Sequence, residues 1–300
     1  MIRATVGSYQ DDRRKSICFL LTCFNRRSKT ISCLRSLVKC VDLDDFLICS
    51  VLVDDGSTDG TAEAVAAEFP WVTVISHVGA PLFWCRGMAM AMSEAIKDSH
   101  DYYVLINDDT VLYPASVSSL LDVYKSSSLD ESRPPIIVGS TRDPLTKVLT
   151  YGGQIRKSGA SRTRFEKIHP ADHVQEVDTF NGNIVLLPAA VVSSVGTLDH
   201  RFEHALGDLD YGLRARALGF SVLLAPGFHG ECSNNPVSGT FLDSSLPFAI
   251  RWKLLLGRKG LPWRSWMIFT RRHAGLFWWA YFAWPYLRLI CDASLIRSSR

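Results

Sequence analysis

FLICSVLVDDGSTDGT (46–61) joins two kinds of chemistry in one stretch. Phe46 to Val53 is an apolar run of strand length that does not alternate. Such a run suits a strand covered on both faces, as in a parallel sheet packed between helices. The run stops at Asp54 and Asp55, turns on Gly56, and offers Ser57 or Thr58 as the cap of a helix expected over 58–68. One cap suffices for one helix, so Asp54 is surplus to the turn. A carboxylate at the end of a central strand can accept hydrogen bonds from a nucleobase ring N–H or from ribose hydroxyls.

The same grammar repeats on both sides. ICFLLTCF (17–24), WVTVIS (71–76), YYVLI (102–106) and PIIVGS (135–140) read as further buried strands. Helical stretches over 28–39, 87–97 and 115–125 separate them, the first with Ile31, Leu34, Leu37 and Val38 on one face. Strands alternating with helices predict βαβ units in a doubly wound α/β fold. Ligands bind beyond the carboxyl ends of such strands, and the polar clusters stand there: Thr22 to Arg26, Asp54 to Asp59, and Asn107 to Asp109. Residues 141–178 read as loops or a short irregular insertion. TFNGNIVLLP (179–188) is a strand entered through Asn and Gly, and a short helix follows it. A helix beginning near Asp208 should set Leu209, Leu213 and Ala217 on one side, and SVLLAPGFHG reads as a strand and loop. Residues 1–15 form a lead-in without the apolar core of a secretory signal.

Composition narrows the function. A 300-residue chain that is 47% hydrophobic with a net charge of +3 has room for a large core and no basic excess for nucleic acid. Its eight cysteines form no C-x-x-C pair, and several lie within apolar runs, which fits a reducing, cytoplasmic setting. There is no GxxxxGK[ST], no GxGxxG after the first strand and no GxSxG, so P-loop, dinucleotide and hydrolase-elbow chemistry is excluded.

Three clusters carry candidate chemistry, each beside a structural alternative. In NDDT, Asp108 and Asp109 offer oxygen ligands for Mg²⁺ or Mn²⁺, or they form an Asx turn. His229 is a core histidine, or a ligand for the same cation. Asp208 and Asp210 complement the positive end of a helix, or one of them is a general base.

The order TCFNR, VDDGSTDGT, INDDT, FNGNIVLLP and GDLDYGLRARALGF resembles the family 2 glycosyltransferases of the GT-A fold, from about Ser16 to Ser233. APLFWCRGMAMAM is similar to the L-W-W-x-G-G-x-N-x-G stretch of the bacterial rhamnosyltransferase-like branch, and NDDT is that branch's form of the metal motif. The resemblance implies a catalytic domain over 16–240, with a nucleotide-binding half to 110 and an acceptor half from 111. It implies inverting transfer of a sugar from a dTDP- or UDP-linked donor, with Mn²⁺ or Mg²⁺. The acceptor would be a hydroxyl of a glycan or lipid-linked molecule in cell-surface polysaccharide synthesis. Thr22, Asp54 and Asp55 would serve the donor, with Asn25 and Arg26 nearby. Asn107, Asp108 and Asp109 occupy the D-x-D positions, Asp109 being the acid that touches the metal. Asp208 holds the second position of an E-D pair and is the implied base, with Asp210 close behind. His229 matches a late histidine that joins the metal or diphosphate, and Gly182 and Asn183 would border the sugars.

The departures are Asn107 for the first acid, Gly207 for the Glu of the E-D pair, and Arg86, which adds a charge that would contact the diphosphate or alter the donor preference. Asn107 and Gly207 keep open a catalytically inactive binding or scaffold relative. A sugar-nucleotide pyrophosphorylase is the other alternative, and the missing Gly-rich N-terminal loop argues against it.

The tail, 241–300, is helical in pattern, basic and aromatic. From Arg251 to Arg300 basic residues recur against a single acid, Asp292. Its apolar stretch, Ala274 to Leu287, is shorter than the ~20 residues that span a bilayer. Trp and Tyr flanked by Arg271, Arg272 and Arg288 suit the inner face of a membrane. The alternatives are packing on the catalytic domain and a homodimer contact.

Overall fold

The computed structural model describes residues 14–40, 46–128, 130, 132–158, 162–233 and 238–298, with backbone alone beyond 292. The expected lead-in lies outside the described residues as far as 13. Strand β1 (Lys15–Cys23) leads through α1 (Arg27–Lys39) to β2 (Phe46–Asp54), then α2 (Thr61–Glu68), β3 (Val72–Ser76), α3 (Phe83–Ala95) and β4 (Tyr102–Ile106). These four strands are parallel, in the order β3-β2-β1-β4. Alternation along them explains the unbroken apolar runs. Ile17, Phe19 and Leu21 enter one buried cluster with residues of α1, while Cys18 and Leu20 enter a second with residues of α3. Burial on both faces removes the polar face that would give a period of two.

Short β5 (Val111–Leu112) and α4 (Ser116–Ser127) lead to β6 (Ile136–Arg142). The segment expected to be irregular instead contains short strands, β7 (Leu149–Tyr151), β8 (Gly153–Arg156), β9 (Phe165–Lys167) and β10 (Gln175–Glu176), and β11 (Thr179–Phe180) follows it. β7 pairs with β6, and β11-β8-β9 form a separate antiparallel sheet. Their brevity and their Gly and charged residues hid them from pattern reading. β12 (Ile184–Pro188) inserts antiparallel between β4 and β6. α5 (Ala189–Val195) and α6 (Gly207–Ala217) precede β13 (Val222–Glu231), which runs parallel to β6. The expected strand over 179–188 is therefore two strands, broken at Asn181–Asn183.

Two helix expectations change. α2 begins at Thr61 rather than 58, because Asp59 accepts hydrogen bonds from the Thr61 and Arg27 N–H groups. In α6, Ala217 is exposed, and the buried set is Gly207, Asp210, Tyr211, Gly212, Leu213 and Ala215. Linear spacing also concealed a cluster at the opposite end of the strands. In-register pairing of Cys18 with Cys49 brings their sulfurs and a His100 ring nitrogen within 4.8 Å of one another.

The tail packs on this body as α7 (Phe248–Leu256), α8 (Trp263–His273) and α9 (Trp278–Ser298). Trp266 and Phe269 of α8 are buried in the same cluster as α3 and α6. Each such side chain contributes about 2–3 kcal/mol by burial. The Trp266 indole donates to the Phe282 carbonyl at 3.1 Å, and the Tyr286 hydroxyl to that of Leu261 at 2.8 Å, which ties α9 down.

A fully buried carboxylate locks α8 to α6. Asp210 accepts from Arg214 at 2.8 Å and Arg272 at 2.8 Å, with His273 Nε2 at 2.9 Å. Burial alone would raise its carboxyl, but His273, Arg272 and Arg214 outweigh that and hold it below the ordinary value. Its contribution is therefore present above about pH 4 and lost as pH falls through the depressed value. Asp210→Ala should lower stability by about 3 kcal/mol, since Arg214 and Arg272 lose a buried counter-charge. Thermal melts should show a large drop at pH 7 that narrows toward pH 3; an equal drop at both would refute the ion-pair origin.

Candidate functional site

The loops at the carboxyl ends of β1 and β2 are stapled together. Asn25, at φ 49°, accepts from the Thr58 N–H at 2.8 Å, and its own N–H donates to Ser57 Oγ at 2.9 Å. Asp54 is 2% exposed, and its Oδ1 accepts from the Ser57 N–H at 2.9 Å, closing the turn. Asp55 is committed elsewhere: its carboxylate accepts from the Leu82 and Phe83 N–H groups at 2.8–3.0 Å and caps α3. Thr22 lies against Gly87 of α3 with no room for a Cβ between them, so it is a packing residue. Both residues expected at the donor are thus engaged by α3 in this structure.

Asn107, the departure from the acidic motif, is the centre of a hydrogen-bond chain. Its Oδ1 accepts from the Trp84 indole at 2.7 Å, and its Nδ2 donates to Asn183 Oδ1 at 2.9 Å. Asn183 donates onward to Thr110 Oγ1 at 3.4 Å. An amide donates and accepts at once, which an ionised carboxylate does not. Trp84 lies over Gly182, where a Cβ would stand 2.6 Å from its ring. Pattern reading quoted Trp84 within FWCRG but gave it no role.

Asp108 and Asp109 converge on one point. Arg26 Nη1 stands 3.1 Å from Asp108 Oδ1 and 2.9 Å from Asp109 Oδ2, with Lys29 Nζ 3.9 Å from the latter. Burial raises the Asp108 carboxyl to about 7, against the pull of Arg26. Two oxygens already sharing one cationic nitrogen form a donor set that fits a divalent cation. Cys232 Sγ is 3.4 Å from Asp109 Oδ1, and burial beside that acid pushes its thiol up to about 12.

His229 does not join this set. Its ring sits between Gly139 of β6 and Ser119 of α4, with Nε2 3.4 Å from Ser119 Oγ and Nδ1 unpartnered. Burial lowers it to about 4 and keeps it neutral. Side chains on a strand alternate, and in β13 the sequence position alone did not reveal which face His229 takes.

Asp208, in the first turn of α6, has no ion-pair partner among the described residues. It accepts from the Gly182 N–H at 3.2 Å and from Asn181 Nδ2 at 3.5 Å. Burial raises its carboxyl, and the Leu209 and Gly182 N–H groups only partly offset that. The buried Asn181 Oδ1 has no hydrogen-bond partner, leaving an acceptor beside this carboxylate. Asp210, one residue past Leu209, faces the protein interior and is saturated by its three partners, which removes it from the candidate bases. Gly207 has no space for a side chain, since a Cβ would overlap Cys85 Sγ. Arg86 is turned to the 200–203 loop, donating to the His200 carbonyl at 3.0 Å and pairing with Glu203 at 3.4 Å. Asn25, Phe83 and Leu206 are three of the five non-glycine residues with positive φ among the described residues, and each lies within two residues of Arg26, Trp84 or Asp208 in the sequence. Such strain costs about 1 kcal/mol per residue and gathers at functional sites.

The model of the family described as glycosyltransferase like family 2 matches residues 14–233. The chain is 23% identical over 254 residues to N-acetylglucosaminyl-diphospho-decaprenol L-rhamnosyltransferase of Mycobacterium tuberculosis, covering 76% of each. Its fold is similar to mannosyltransferase PcManGT from Pyrobaculum calidifontis in complex with GDP-Man and Mn²⁺. That match has a TM-score of 0.52 and 15% identity, over 82% of this chain and 63% of that one. It is also similar to GalNAc-T7 with UDP, GalNAc and Mn²⁺, at TM-score 0.56 and 12% identity, over 75% and 45%. The chain thus spans less than two thirds of either solved structure, and at these identities the likeness carries the GT-A fold alone.

Because Arg26 occupies the point where the carboxylates meet, Arg26→Ala should tighten nucleotide-free Mn²⁺ binding about tenfold, a change of about 1.4 kcal/mol. Asp109→Asn should abolish it. Electron paramagnetic resonance of free Mn²⁺ reads both, and undiminished binding by Asp109→Asn would move the cation site elsewhere.

Proposed function

The chain belongs to the glycosyltransferase like family 2, and from that premise we propose that it transfers a sugar, with inversion, from a nucleoside diphosphate to a hydroxyl beside Asp208. The observation that carries the reading is one carboxylate with a raised pKa at a helix start, facing Gly182 and Asn181. A base poised above the ordinary carboxylate range of about 4 keeps more driving force for taking a proton near neutrality. A single such acid suits direct displacement at the anomeric carbon, with no covalent sugar on the protein.

The rest of the cleft supports donor binding. Asp54 uses Oδ1 in its turn, and its second oxygen is the acceptor left for the nucleoside. Arg26 and Lys29 bring positive charge to the mouth between the β1 and β4 loops. Trp84, held by Asn107 and seated on Gly182, gives the sugar a flat apolar wall. A divalent cation held by Asp108 and Asp109 would supply positive charge to the departing diphosphate. A dTDP- or UDP-linked donor is the proposed class, and a glycan or lipid-linked hydroxyl the proposed acceptor, in cell-surface polysaccharide synthesis. The lipid-linked option is supported by the name of the mycobacterial relative.

Among the described residues no helix is long and apolar enough to cross a membrane. Leu276, Phe277 and Trp279 are nonetheless 84%, 62% and 61% exposed around the start of α9, in the segment that follows Arg271 and Arg272 in the sequence. An apolar patch beside basic residues suits peripheral attachment to the cytoplasmic face of a membrane. Co-sedimentation with phosphatidylglycerol vesicles should be lost in a Phe277→Ser, Trp279→Ser double variant; equal sedimentation would remove this patch as the anchor.

Asp208→Asn should reduce transfer about 10³-fold while leaving UDP or dTDP binding unchanged. In the unsubstituted protein kcat/KM should fall as pH drops through the raised Asp208 value. Full activity of Asp208→Asn would overturn the assignment of the base.

A further inference from the structure

Toward the amino ends of the strands, away from the cleft, three soft donors meet. Cys18 of β1 and Cys49 of β2 are paired in register, and His100 precedes β4 on the other side of β1. The two sulfurs and a His100 ring nitrogen all lie within 4.8 Å of one another. Cys49 Sγ stands 3.5 Å from His100 Nε2. A tetrahedral Zn²⁺ with Zn–S of about 2.3 Å and Zn–N of about 2.0 Å has S···N edges of about 3.5 Å, so this edge already has coordination spacing. Among the described residues this is the one group of three or more Cys, His, Asp or Glu side chains with ligand atoms so close. Other buried thiols are engaged differently: Cys33 and Cys40 donate to the Asn107 and Tyr113 carbonyls at 3.4 Å and 2.8 Å.

The fold holds these donors in place. Strand register fixes both cysteines. The His100 N–H donates to Tyr103 Oη at 3.2 Å, and the two rings meet edge-on with centroids 5.7 Å apart. Ser99, at φ 52°, turns the chain from the 3₁₀ turn Ile96–Asp98 into His100. Cys18 and His100 are buried, while Cys49 is half-buried, so solvent reaches the group and can fill a fourth position. Two thiolates balance a divalent charge, and a neutral complex escapes the cost of burying a net charge. Sulfur and imidazole suit Zn²⁺, whereas the carboxylate oxygens of Asp108 and Asp109 suit Mg²⁺ or Mn²⁺.

We propose that Cys18, Cys49 and His100 form a metal site of their own, which takes Zn²⁺ with water as the fourth ligand. Binding releases one proton from each thiol and forms two Zn–S bonds and one Zn–N bond. Five residues of strand separate Cys18 from Cys23 and Cys49 from Asp54, about 16 Å at 3.3 Å per residue, so the ion does not touch the donor end. It clamps β1, β2 and the entry to β4, the three strands whose far ends lead to Asn25, Asp54 and Asn107. The clamp is independent of the transferase reading.

Co²⁺ is the probe, because tetrahedral Co²⁺ with thiolate ligands shows sulfur-to-metal charge-transfer and intense d–d absorption. The full chain, reduced with a phosphine and holding excess Mg²⁺ on its oxygen ligands, should take up one equivalent of Co²⁺ with both bands. Zn²⁺ should then displace the Co²⁺. Cys49→Ser should weaken Zn²⁺ binding about a hundredfold and His100→Gln about tenfold, each with loss of the tetrahedral spectrum. Asp109→Asn, and Cys291→Ser at an exposed thiol, should leave the spectrum unchanged. Zn²⁺ at about one hundred times its Kd should raise the Tm of the unsubstituted chain by about 5 °C and that of Cys49→Ser by about 1 °C or less. Circular dichroism of the metal-free variants checks that they are folded, and His100→Gln carries the test if Cys49→Ser is not. Absence of the thiolate bands in the reduced chain, or bands that survive Cys49→Ser, would overturn the site. Disappearance of two thiols in the unreduced protein, with no Co²⁺ uptake after reduction, would overturn it as well and make Cys18 and Cys49 a redox pair instead.

Discussion

Parallel pairing puts Cys23 beside Asp54 and Asp54 beside Ser76, so β1, β2 and β3 stop at one level. β4 joins the other side of β1, and the chain diverges between the two neighbours. At such a switch point the loops on either side part and leave a crevice. Every residue assigned to the donor end depends on that register. A slip of one residue would turn Asp54 to the opposite face of the sheet and break the staple between Asn25 and Ser57.

Three buried acids show how partners, more than burial, divide structural from functional roles. Asp210 loses water but gains Arg214, Arg272 and His273, and its carboxyl stays low. Asp108 has Arg26 on one side and the like charge of Asp109 on the other, and its carboxyl rises to about 7. Asp208 has neutral N–H donors only, and it rises too. Desolvation is common to all three; the sign follows from whether cations compensate it. The under-compensated acids are the ones proposed to take a metal or a proton, and the saturated one holds the tail in place.

The tail is consequently part of the catalytic body as well as a surface. Trp266 and Phe269 complete the cluster under α6, while Phe277 and Trp279 stay exposed. Of the readings open for it, packing on the catalytic domain is realised by α8, and the exposed start of α9 leaves membrane attachment as a compatible second role. The same helices build an arginine-lined cavity against Leu206.

By itself the sequence determined the α/β framework, because doubly buried strands and amphipathic helices leave local periodicities. It also located the acidic ends of β2, β4 and α6, because short polar clusters at strand ends are local signals. Only the tertiary structure separated Asp208 from Asp210, two acids in one helical turn that differ solely in which distant cations they meet. It turned His229 away from the carboxylates, assigned Asp55 to the cap of α3, and gave Asn107 a purpose through Trp84 and Asn183. It also folded residues 141–178 into short strands, whose pairing partners lie far along the chain. Those outcomes depend on side chains remote in sequence, and a carboxylate's protonation and direction are set by neighbours that linear spacing does not record.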